Sequence, residues 1–421
     1  MKKTLLYFEE MECPLSKTLF GREDLNIIIL RTTKNLKFFS QEYLEQTKKY
    51  NVFVANYEND ILEEVDKFKI WCQANNLNPT NFLNDSEYYL EYANNFARLL
   101  NLPSLTEQQV LWVRDKVNMK ERFNQIGLNT VSFSAIENKQ DIINFFNNHG
   151  GKRIVFKPRR GMNSVDTYII NCLEDIENLS LQIKPNKYMV ETFCDDHEWS
   201  IESIVQDGKV LDSYITYIPN ATIWAAIANN LNCHMTVPKV PEYFQFVPKD
   251  LIQTIVSGMG LKNGVMTIEV FISDDGKVMP SELGWRLPGC QATTNHSFSY
   301  GINIYELLID IMIEKKVELN YRDKIISVGD LYLPNKEGII TGITALDELL
   351  KMDGVIRGEM FAKLGEFQVK RRVGNDASGW VQVMGESETE TLKKMQLIFD
   401  KFVIETDKDI KEKGVAYVKK N

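Results

Sequence analysis

The first hundred residues alternate short apolar runs with longer amphipathic segments. Three apolar runs predict strands. They lie at residues 3–8, 25–30 and 52–57. Apolar positions at helical spacing predict two helices, over residues 60–75 and 86–102. Residues 76–85 include Pro and several Asn, and we expect them to connect the two helices. Strands that alternate with helices in this way predict a small parallel α/β unit.

The pattern changes at Thr106. Thr106 and Gln109 have the spacing of a capping box, so they predict the start of a helical stretch that ends at Gly127. Beyond this stretch, apolar runs separated by Gly and Asp turns predict five strands. These strands lie at residues 153–157, 166–170, 188–193, 199–205 and 210–218. We expect them to form one antiparallel lobe.

The rest of the chain mixes strands and helices. A hairpin begins after residue 263, and amphipathic helices are predicted over 304–313 and 386–402. At about 100–200 residues per domain, a chain of this length forms two or three domains. We place them at residues 1–105, 106–218 and 219–421, with a subdomain inside the last one from about residue 320.

Composition excludes several classes of protein. The 421 residues carry 49 Lys and Arg against 58 Asp and Glu, for a net charge of −9. Nucleic acid is therefore not an expected partner, because affinity for a phosphate backbone comes mainly from basic residues. The apolar runs are far shorter than the roughly 20 residues that cross a bilayer, so no membrane partner is expected either. We expect a soluble cytoplasmic protein.

Cysteines and histidines give no metal or nucleotide motif. The six cysteines form no C-x-x-C, and none of the four histidines are spaced i, i+4. The Walker and Rossmann glycine patterns are also absent. Cys290 has no histidine near it in the sequence, so covalent catalysis is not expected.

A predicted hairpin carries the first chemical signal. Its Asp-Gly pair at 275–276, between alternating runs, predicts a two-residue turn. Counting outward from that turn places Glu269 directly opposite Glu282. Opposed like charges repel, so we expect a cation between them, and carboxylates are the ligands that Mg²⁺ prefers.

Two further residues bear on this hairpin. Arg286 shares a face with Glu282 through the strand period of two, and it could help to cradle a phosphoryl group. The alternative is an ordinary Glu–Arg ion pair on an exposed hairpin. Pro280 cannot donate to the ladder, so a bulge there would shift the register.

A basic loop gives the second signal. Lys157 ends a predicted strand, and Arg159, Gly161 and Ser164 follow in the loop. Backbone N–H groups, a hydroxyl and positive charge allow such a loop to close over a polyphosphate. A solvated hairpin tip is the alternative.

Five motifs, taken in order, resemble those of the ATP-grasp superfamily. They are RDK at 114–116, VFKPRRGMNS at 155–164, MVETF at 189–193 with EWSIE at 198–202, TIEVF at 267–271 and ELGWRLPG at 282–289. More narrowly, they resemble the carboxylate–amine ligase branch related to biotin carboxylase and the bacterial L-amino acid ligases. The resemblance covers roughly residues 100–400. It implies an α/β protein, with a pre-ATP-grasp domain followed by two α+β ATP-grasp lobes.

The resemblance also implies an ATP site. Lys116 and Lys157 would contact the phosphates, and the loop from Arg159 through Gly161 to Ser164 would cover them. The hinge that binds adenine would consist of Glu191, Thr192 and Phe193. Glu198 would lie on the ribose side. The alternative for Lys116 is that it lies beside Lys120 on one solvent-exposed helix face and does not contact ATP.

For the reacting end of the site, the resemblance implies metal and substrate contacts. Glu269 and Glu282 would bind Mg²⁺, as one or two ions because Gly284 stands where an Asn often assists the second. Arg286 and Gly289 would hold an acyl phosphate. His296 could contact substrate or activate an amine, with an ordinary loop histidine as the alternative.

These features predict an ADP-forming enzyme that phosphorylates a small carboxylate, an amino acid in our interpretation, and joins it to an amine. Transfer to the thiol of an acyl carrier protein remains an alternative, as does a regulatory protein that binds ATP without turnover. A homodimer is compatible with the resemblance.

Overall fold

The N-terminal region of the computed structural model is a parallel sheet with helices against it. The structure describes residues 2–162, 164–179, 182–219, 230–238, 250–369 and 376–409. The first sheet has the order β3-β2-β1-β4, and all its neighbours are parallel. Its strands are β1 (Lys3–Phe8), β2 (Leu25–Thr32), β3 (Asn51–Ala55) and β4 (Asn81–Asn84). The predicted parallel unit is confirmed.

Four helices accompany this sheet. They are α1 (Pro14–Phe20), α2 (Gln41–Thr47), α3 (Ile61–Ala74) and α4 (Leu90–Leu99). Two sequence expectations were wrong here: α1 and α2 were not predicted, and the supposed connection at 76–85 contains β4. Four-residue β4 is too short for its pattern to stand out, and it is held by pairing with β1.

The helical stretch after Thr106 is broken in the middle. The capping box of Thr106 and Gln109 is present and begins α5 (Glu107–Arg114). Asp115 then leaves helical geometry, with φ −102° and ψ 110°, and its carboxylate caps α6 (Lys116–Gln125) by accepting from the N–H groups of Val117 and Asn118. A continuous helix to Gly127 was therefore wrong. The break matters because it places Lys116 in the first turn of a new helix.

A small antiparallel sheet follows, with the order β5-β8-β6-β7. Its strands are β5 (Phe133–Ile136), β6 (Ile154–Pro158), β7 (Tyr168–Ile170) and β8 (Tyr188–Thr192). The helices α7 (Lys139–Asn148) and α8 (Leu173–Glu177) supply Phe146 and Ile176 to its core, against Ile154 and Phe156.

The largest sheet has eight antiparallel strands, in the order β13-β12-β9-β10-β11-β14-β18-β16. They are β9 (His197–Gln206), β10 (Lys209–Tyr217), β11 (Asn232–Val237), β12 (Gly264–Ile272), β13 (Val278–Gly284), β14 (Ser327–Tyr332), β16 (Val355–Met360) and β18 (Gly379–Gly385). The single lobe of five predicted strands was thus wrong in its second half, because β9 pairs with β12. β8 and β9 thus belong to different sheets, and the domain bounds stay a prediction.

The remaining described elements complete the fold. A three-stranded sheet, β17-β15-β19, consists of β15 (Gly338–Ile343), β17 (Phe367–Gln368) and β19 (Ile404–Thr406). The helices are α9 (Leu251–Gly258), α10 (Ala292–Tyr300), α11 (Ile304–Met312), α12 (Leu346–Leu349) and α13 (Glu388–Lys401). The helices predicted near 304–313 and 386–402 are confirmed as α11 and α13. Among the described residues, no helix is both long and apolar enough to cross a membrane.

Candidate active site

A cavity of about 330 Å³ collects most of the predicted site residues. Its walls come from the small sheet, from α6, and from the β9, β12 and β13 edge of the large sheet. The predicted residues that line it are Lys116, Lys157, Gly161, Ser164, Glu191, Thr192, Phe193, Glu198, Glu269, Glu282, Arg286 and Gly289. Residues up to 173 positions apart in the chain thus meet in one cavity.

The β12–β13 hairpin places Glu269 directly opposite Glu282, as predicted. The register beside the turn was nevertheless wrong by one residue, since Ile272 pairs with Val278. The Ser273 N–H donates to the Lys277 carbonyl at 3.0 Å, which closes a longer turn than the two-residue one expected. A bulge beside Pro280 then restores the predicted pairing.

The two carboxylates have different surroundings. Lys116 Nζ lies 2.8 Å from Glu282 Oε1, and Lys157 Nζ lies 4.0 Å from Glu282 Oε2. Although burial raises the pKa of Glu282, the two lysines lower it overall. Burial, followed by the charges of Glu282 and Glu198, raises the pKa of Glu269 to about 8. A divalent cation would relieve this repulsion, so the pair fits Mg²⁺.

Glu191 links two lysines below the carboxylate pair. Its Oε1 accepts from Lys157 Nζ at 2.6 Å, and its Oε2 lies 3.1 Å from Lys120 Nζ. Burial raises the pKa of Glu191, but the lysines bring it down to about 2. Its carboxylate is therefore committed to the lysines, so an adenine contact at this hinge would fall to the backbone. The Thr192 and Phe193 N–H groups donate to the Ser132 and Arg153 carbonyls.

Lys120 is a site residue that sequence reasoning missed. It is 1% exposed, and it also donates to the Ser281 carbonyl at 3.0 Å. Lys116 is 5% exposed, so the alternative of a solvated lysine pair was wrong. The i, i+4 spacing of the two lysines was the available signal, because it puts both on one helix face.

In the basic loop, the Arg159 side chain is held by Asp115 and does not enter the cavity. The Arg159 guanidinium donates to Asp115 Oδ1 through Nε at 3.0 Å and Nη2 at 2.9 Å. Arg159 does not line the cavity, and its contact with the phosphates stays a prediction. The Gly161 carbonyl accepts from Lys116 Nζ at 2.9 Å. Ser164 does line the cavity.

Arg286 is held by acidic residues of the N-terminal region. Its Nε donates to Glu87 Oε2 at 2.6 Å, and the neighbouring Leu287 N–H donates to Asp85 Oδ1 at 2.7 Å. Burial raises the pKa of Asp85 to about 7. Sequence reasoning missed both acids, because nothing in the local pattern reports a partner about 200 positions away. An added Cβ at Gly289 would meet no atom within 4 Å, so the wall beside Arg286 is open there.

His296 lies under the cavity rather than in it. It belongs to α10, where a loop was expected, and it is fully buried. Its Nε2 lies 2.8 Å from Glu202 Oε2, and its Nδ1 lies 3.0 Å from Thr236 Oγ1. Direct contact with substrate was therefore a wrong expectation for His296. Glu202 and Thr216, which both contact His296 Nε2, do line the cavity, so the histidine reaches it through these two residues.

Cys290 has a histidine partner that its sequence position did not suggest. His234, on β11, interacts with Cys290, and its Nδ1 lies 3.1 Å from Asp330 Oδ2. Both Cys290 and His234 line the cavity. The exclusion of covalent catalysis by Cys290 thus rested on a wrong premise, since the strands bring His234 across 56 positions.

Comparisons with known proteins agree with this architecture. A family model described as an ATP-grasp domain matches residues 151–294, which include β6, β8 and the β12–β13 hairpin. The part of the chain that carries the cavity is therefore similar to an ATP-grasp domain.

Individual relatives narrow the comparison. The chain is 20% identical over 312 residues to an L-arginine-specific L-amino acid ligase of Bacillus subtilis, which covers 72% of this chain and 74% of the relative. The crystal structure of an L-amino acid ligase from Bacillus licheniformis has a TM-score of 0.75 at 18% identity, covering 96% of this chain and 99% of that one.

A biotin carboxylase domain shares the fold as well. The structure from Hydrogenobacter thermophilus, a dimer in complex with MgADP, ADP and bicarbonate, has a TM-score of 0.63 at 14% identity. It covers 96% of this chain and 90% of that chain. The predicted likeness to both groups of proteins is confirmed.

Proposed function

We propose that this protein is an ATP-dependent ligase that activates the carboxylate of an amino acid as an acyl phosphate and joins it to an amine, releasing ADP and phosphate. The observation that carries the proposal is the opposed Glu269–Glu282 pair, with Lys116, Lys157 and Arg286 in the same cavity. Two acids that repel each other beside three cations suit a metal-bound polyphosphate better than a structural role.

Each residue then has a role in the transfer. Lys116 and Lys157 bind the phosphates of ATP and offset charge as the terminal phosphoryl group leaves. Glu269 and Glu282 would hold one or two Mg²⁺ ions, which neutralise the phosphates and align them. Arg286 and the open wall at Gly289 bind the substrate carboxylate and then the acyl phosphate.

The cavity also limits hydrolysis of the intermediate. An acyl phosphate reacts readily with water, so the transfer needs an enclosed site. Gly161 and Ser164 belong to the loop after β6 and line the cavity. We propose that this loop covers the phosphates when nucleotide is bound, and that a backbone carbonyl of the hinge at Thr192 and Phe193 positions the adenine, since both N–H groups already donate within the protein.

The matched proteins support an amino acid as the carboxylate and an amine as the acceptor. Both amino acid ligases are named for small-molecule substrates, and one for L-arginine. An acyl carrier protein as acceptor remains a sequence prediction that no structural feature favours. A homodimer remains a prediction too.

The direct test is phosphate release from Mg-ATP by the purified protein, with L-arginine first, then each other amino acid and each pair. We expect release with a product whose mass equals two amino acids minus water. Glu282→Gln should abolish it. Glu121→Gln, an exposed acid on α6, serves as the matched control. If no amino acid stimulates release above the Glu282→Gln background, the proposed substrate class is wrong.

A further inference from the structure

Arg357 is a half-buried cation without an acidic partner among the described residues. It lies on β16, the edge strand of the large sheet. Its Nε donates to Gln382 Oε1 at 2.8 Å and its Nη2 to Gln291 Oε1 at 3.0 Å, while Nη1 has no hydrogen bond to a described residue. Arg31 and Arg286, by contrast, each form an ion pair with a glutamate. Because buried charges are normally paired, Arg357 indicates an anion that the described residues do not supply.

The surroundings of Arg357 do not replace that anion. Burial lowers the pKa of Arg357, and the charges of Tyr305 and Asp330 offset this only in part. Two aromatic rings flank the guanidinium carbon, with the centroid of Trp380 at 5.2 Å and that of Phe298 at 5.7 Å. A bound anion would restore the balance of charge, and a planar guanidinium suits a carboxylate.

A chain of side-chain hydrogen bonds fixes the orientation of the guanidinium. The chain begins at Asp330, whose carboxylate accepts from Asn295 Nδ2 at 2.6 Å. The Asn295 oxygen then accepts from Gln382 Nε2, which leaves Gln382 Oε1 to accept from Arg357 Nε. Asp330, Asn295 and Gln382 are all fully buried. Each amide therefore has one favourable orientation, and the guanidinium is held in place before any ligand binds.

The same residues form a row across the large sheet that starts at the cavity. His234 on β11 pairs directly with Asp330, Asp330 pairs with Gln382 on β18, and Gln382 pairs with Arg357. Directly paired residues lie on one face of a sheet. His234 lines the cavity, so Arg357 belongs to the sheet face on which the cavity lies.

The chain between Arg286 and Gln291 leaves room for a substrate to reach Arg357. Gly289 and Cys290 are both small and exposed, and both line the cavity. An added Cβ at Gly289 would meet no atom within 4 Å. Gln291 follows directly and accepts from Arg357. A substrate held at Arg286 can therefore extend past these two residues towards the second guanidinium.

We propose that Arg357 binds a substrate carboxylate other than the one that is phosphorylated beside Arg286. The proposal rests on the proposed function, which supplies amino acid substrates. The second carboxylate has two sources: the side chain of an acidic amino acid that is activated, or the α-carboxylate of the amino acid that supplies the amine. In both cases Nη1, with two N–H groups, is the available donor.

The first test measures binding without turnover. Isothermal titration calorimetry follows glutarate, a dicarboxylate that offers one carboxylate to each of the two arginines, in the presence of Mg-ADP. We expect Arg357→Met to weaken the affinity by about tenfold or more, because a hydrogen bond to a charged group is lost. Arg322→Met, at an exposed arginine, is the matched control and should bind as the wild type does.

Two kinetic arms distinguish the sources of the carboxylate. In the first arm, hydroxylamine replaces the amine, and phosphate release is compared for L-glutamate against L-glutamine and for L-aspartate against L-asparagine. A side-chain source predicts that the wild type prefers the acids by about tenfold in kcat/KM, and that Arg357→Met removes this preference. In the second arm, an amino acid acceptor is compared with its α-carboxamide. An acceptor source predicts the same tenfold preference and the same loss there.

A second variant guards against a folding defect. Arg357→Lys keeps the positive charge but lacks the planar fork, so we expect a smaller loss of affinity for glutarate. Circular dichroism shows whether each variant is folded. If only Arg357→Lys folds, wild-type affinity and wild-type preferences in this variant would overturn the proposal.

The outcomes separate this proposal from the proposed function. If phosphate is released but Arg357→Met matches the wild type in all three measurements, the carboxylate site is wrong and the ligase stands. Arg357 then only supports Gln291 and Gln382. If no amino acid releases phosphate but Arg357→Met loses glutarate, the site stands and the proposed function fails. If neither effect is seen, both proposals fail.

Discussion

The two sides of the cavity treat buried charge in opposite ways. On the side of α6 and the small sheet, Glu191 lies between Lys120 and Lys157, and its pKa falls to about 2. On the hairpin side, Glu269 faces Glu282 and Glu198, and its pKa rises to about 8. The first side is neutralised by the protein itself. On the second side, burial and two neighbouring carboxylates outweigh Lys157 and Lys116 at Glu269, and a bound cation would relieve this repulsion.

The largest effect should come from the carboxylate that both sides share. Glu282→Gln removes one of the two proposed metal ligands and the partner of Lys116, so we expect ADP formation to fall by about 10²- to 10³-fold or more. Phosphate release at saturating Mg-ATP measures it, and an unchanged thermal midpoint shows that the fold persists. Near-normal turnover in Glu282→Gln, with Glu121→Gln as its matched control, would remove Glu282 from the metal site.

Lys120→Met should destabilise the side of the cavity formed by α6 and the small sheet. The substitution leaves Glu191 paired with Lys157 but removes the donor of the buried Ser281 carbonyl, and an unsatisfied buried acceptor costs about 1–3 kcal/mol. Urea unfolding of the protein without nucleotide measures the free energy of unfolding. The exposed Lys152→Met is the control. If the two variants unfold at the same urea concentration, the Glu191 network does not hold that side together.

A smaller effect is expected for ATP binding. Of the lysines that the structure describes, Lys157 is the one within 4.0 Å of both Glu191 and Glu282, so Lys157→Met should weaken the affinity for ATP by about tenfold or more. Isothermal titration calorimetry at low temperature, on protein shown to be folded by circular dichroism, measures this. If Lys157→Met binds ATP as tightly as Lys152→Met does, Lys157 pairs with Glu191 but does not bind ATP.

The smallest effect is a pH dependence on the hairpin side. The pKa of Glu269 is about 8 in the folded chain against an ordinary value of 4.5, so folding takes up a proton between these pH values. Stability from this group is present below pH 4.5 and is lost as the pH rises through 8. Without divalent cations, the thermal midpoint of the wild type should therefore fall by several degrees relative to Glu269→Gln between pH 5 and 8.5.

Magnesium sharpens this last measurement. Millimolar Mg²⁺ should raise the thermal midpoint of the wild type at pH 8.5 more than that of Glu269→Gln, because only the wild type offers both carboxylates. Parallel pH curves for the two proteins, with no separate response to Mg²⁺, would show that Glu269 carries neither the proton nor the metal.

Local patterns were enough to predict part of this site. The Glu269–Glu282 pairing was predicted from strand periodicity and a turn. The real turn is longer and shifts the register by one residue, and the bulge at Pro280 shifts it back, so the predicted pairing holds. The roles predicted for Lys116 and Lys157 came from the resemblance to the ATP-grasp motifs. Only the hairpin depends on residues close together in the chain.

The rest depends on contacts between distant residues. Glu87 beside Arg286 and His234 beside Cys290 are brought together by the arrangement of the sheets, and neither partner carries a periodic signal. The helical pattern did not reveal the break at Asp115, where one helix ends and the side chain caps the next. At Arg159 the residue type suited a phosphate, but the same Asp115 holds it.

The contact between Arg286 and Glu87 also decides how the chain can be divided. A shortened protein that began at α5 would keep Lys116, Lys120, Lys157 and both hairpin acids, yet Arg286 would lose Glu87, its counter-ion. Two separately expressed pieces would each be incomplete, and only their reassembly would restore the anion-binding group. The first hundred residues are in this sense a structural subunit of the active site, joined to it by the peptide chain.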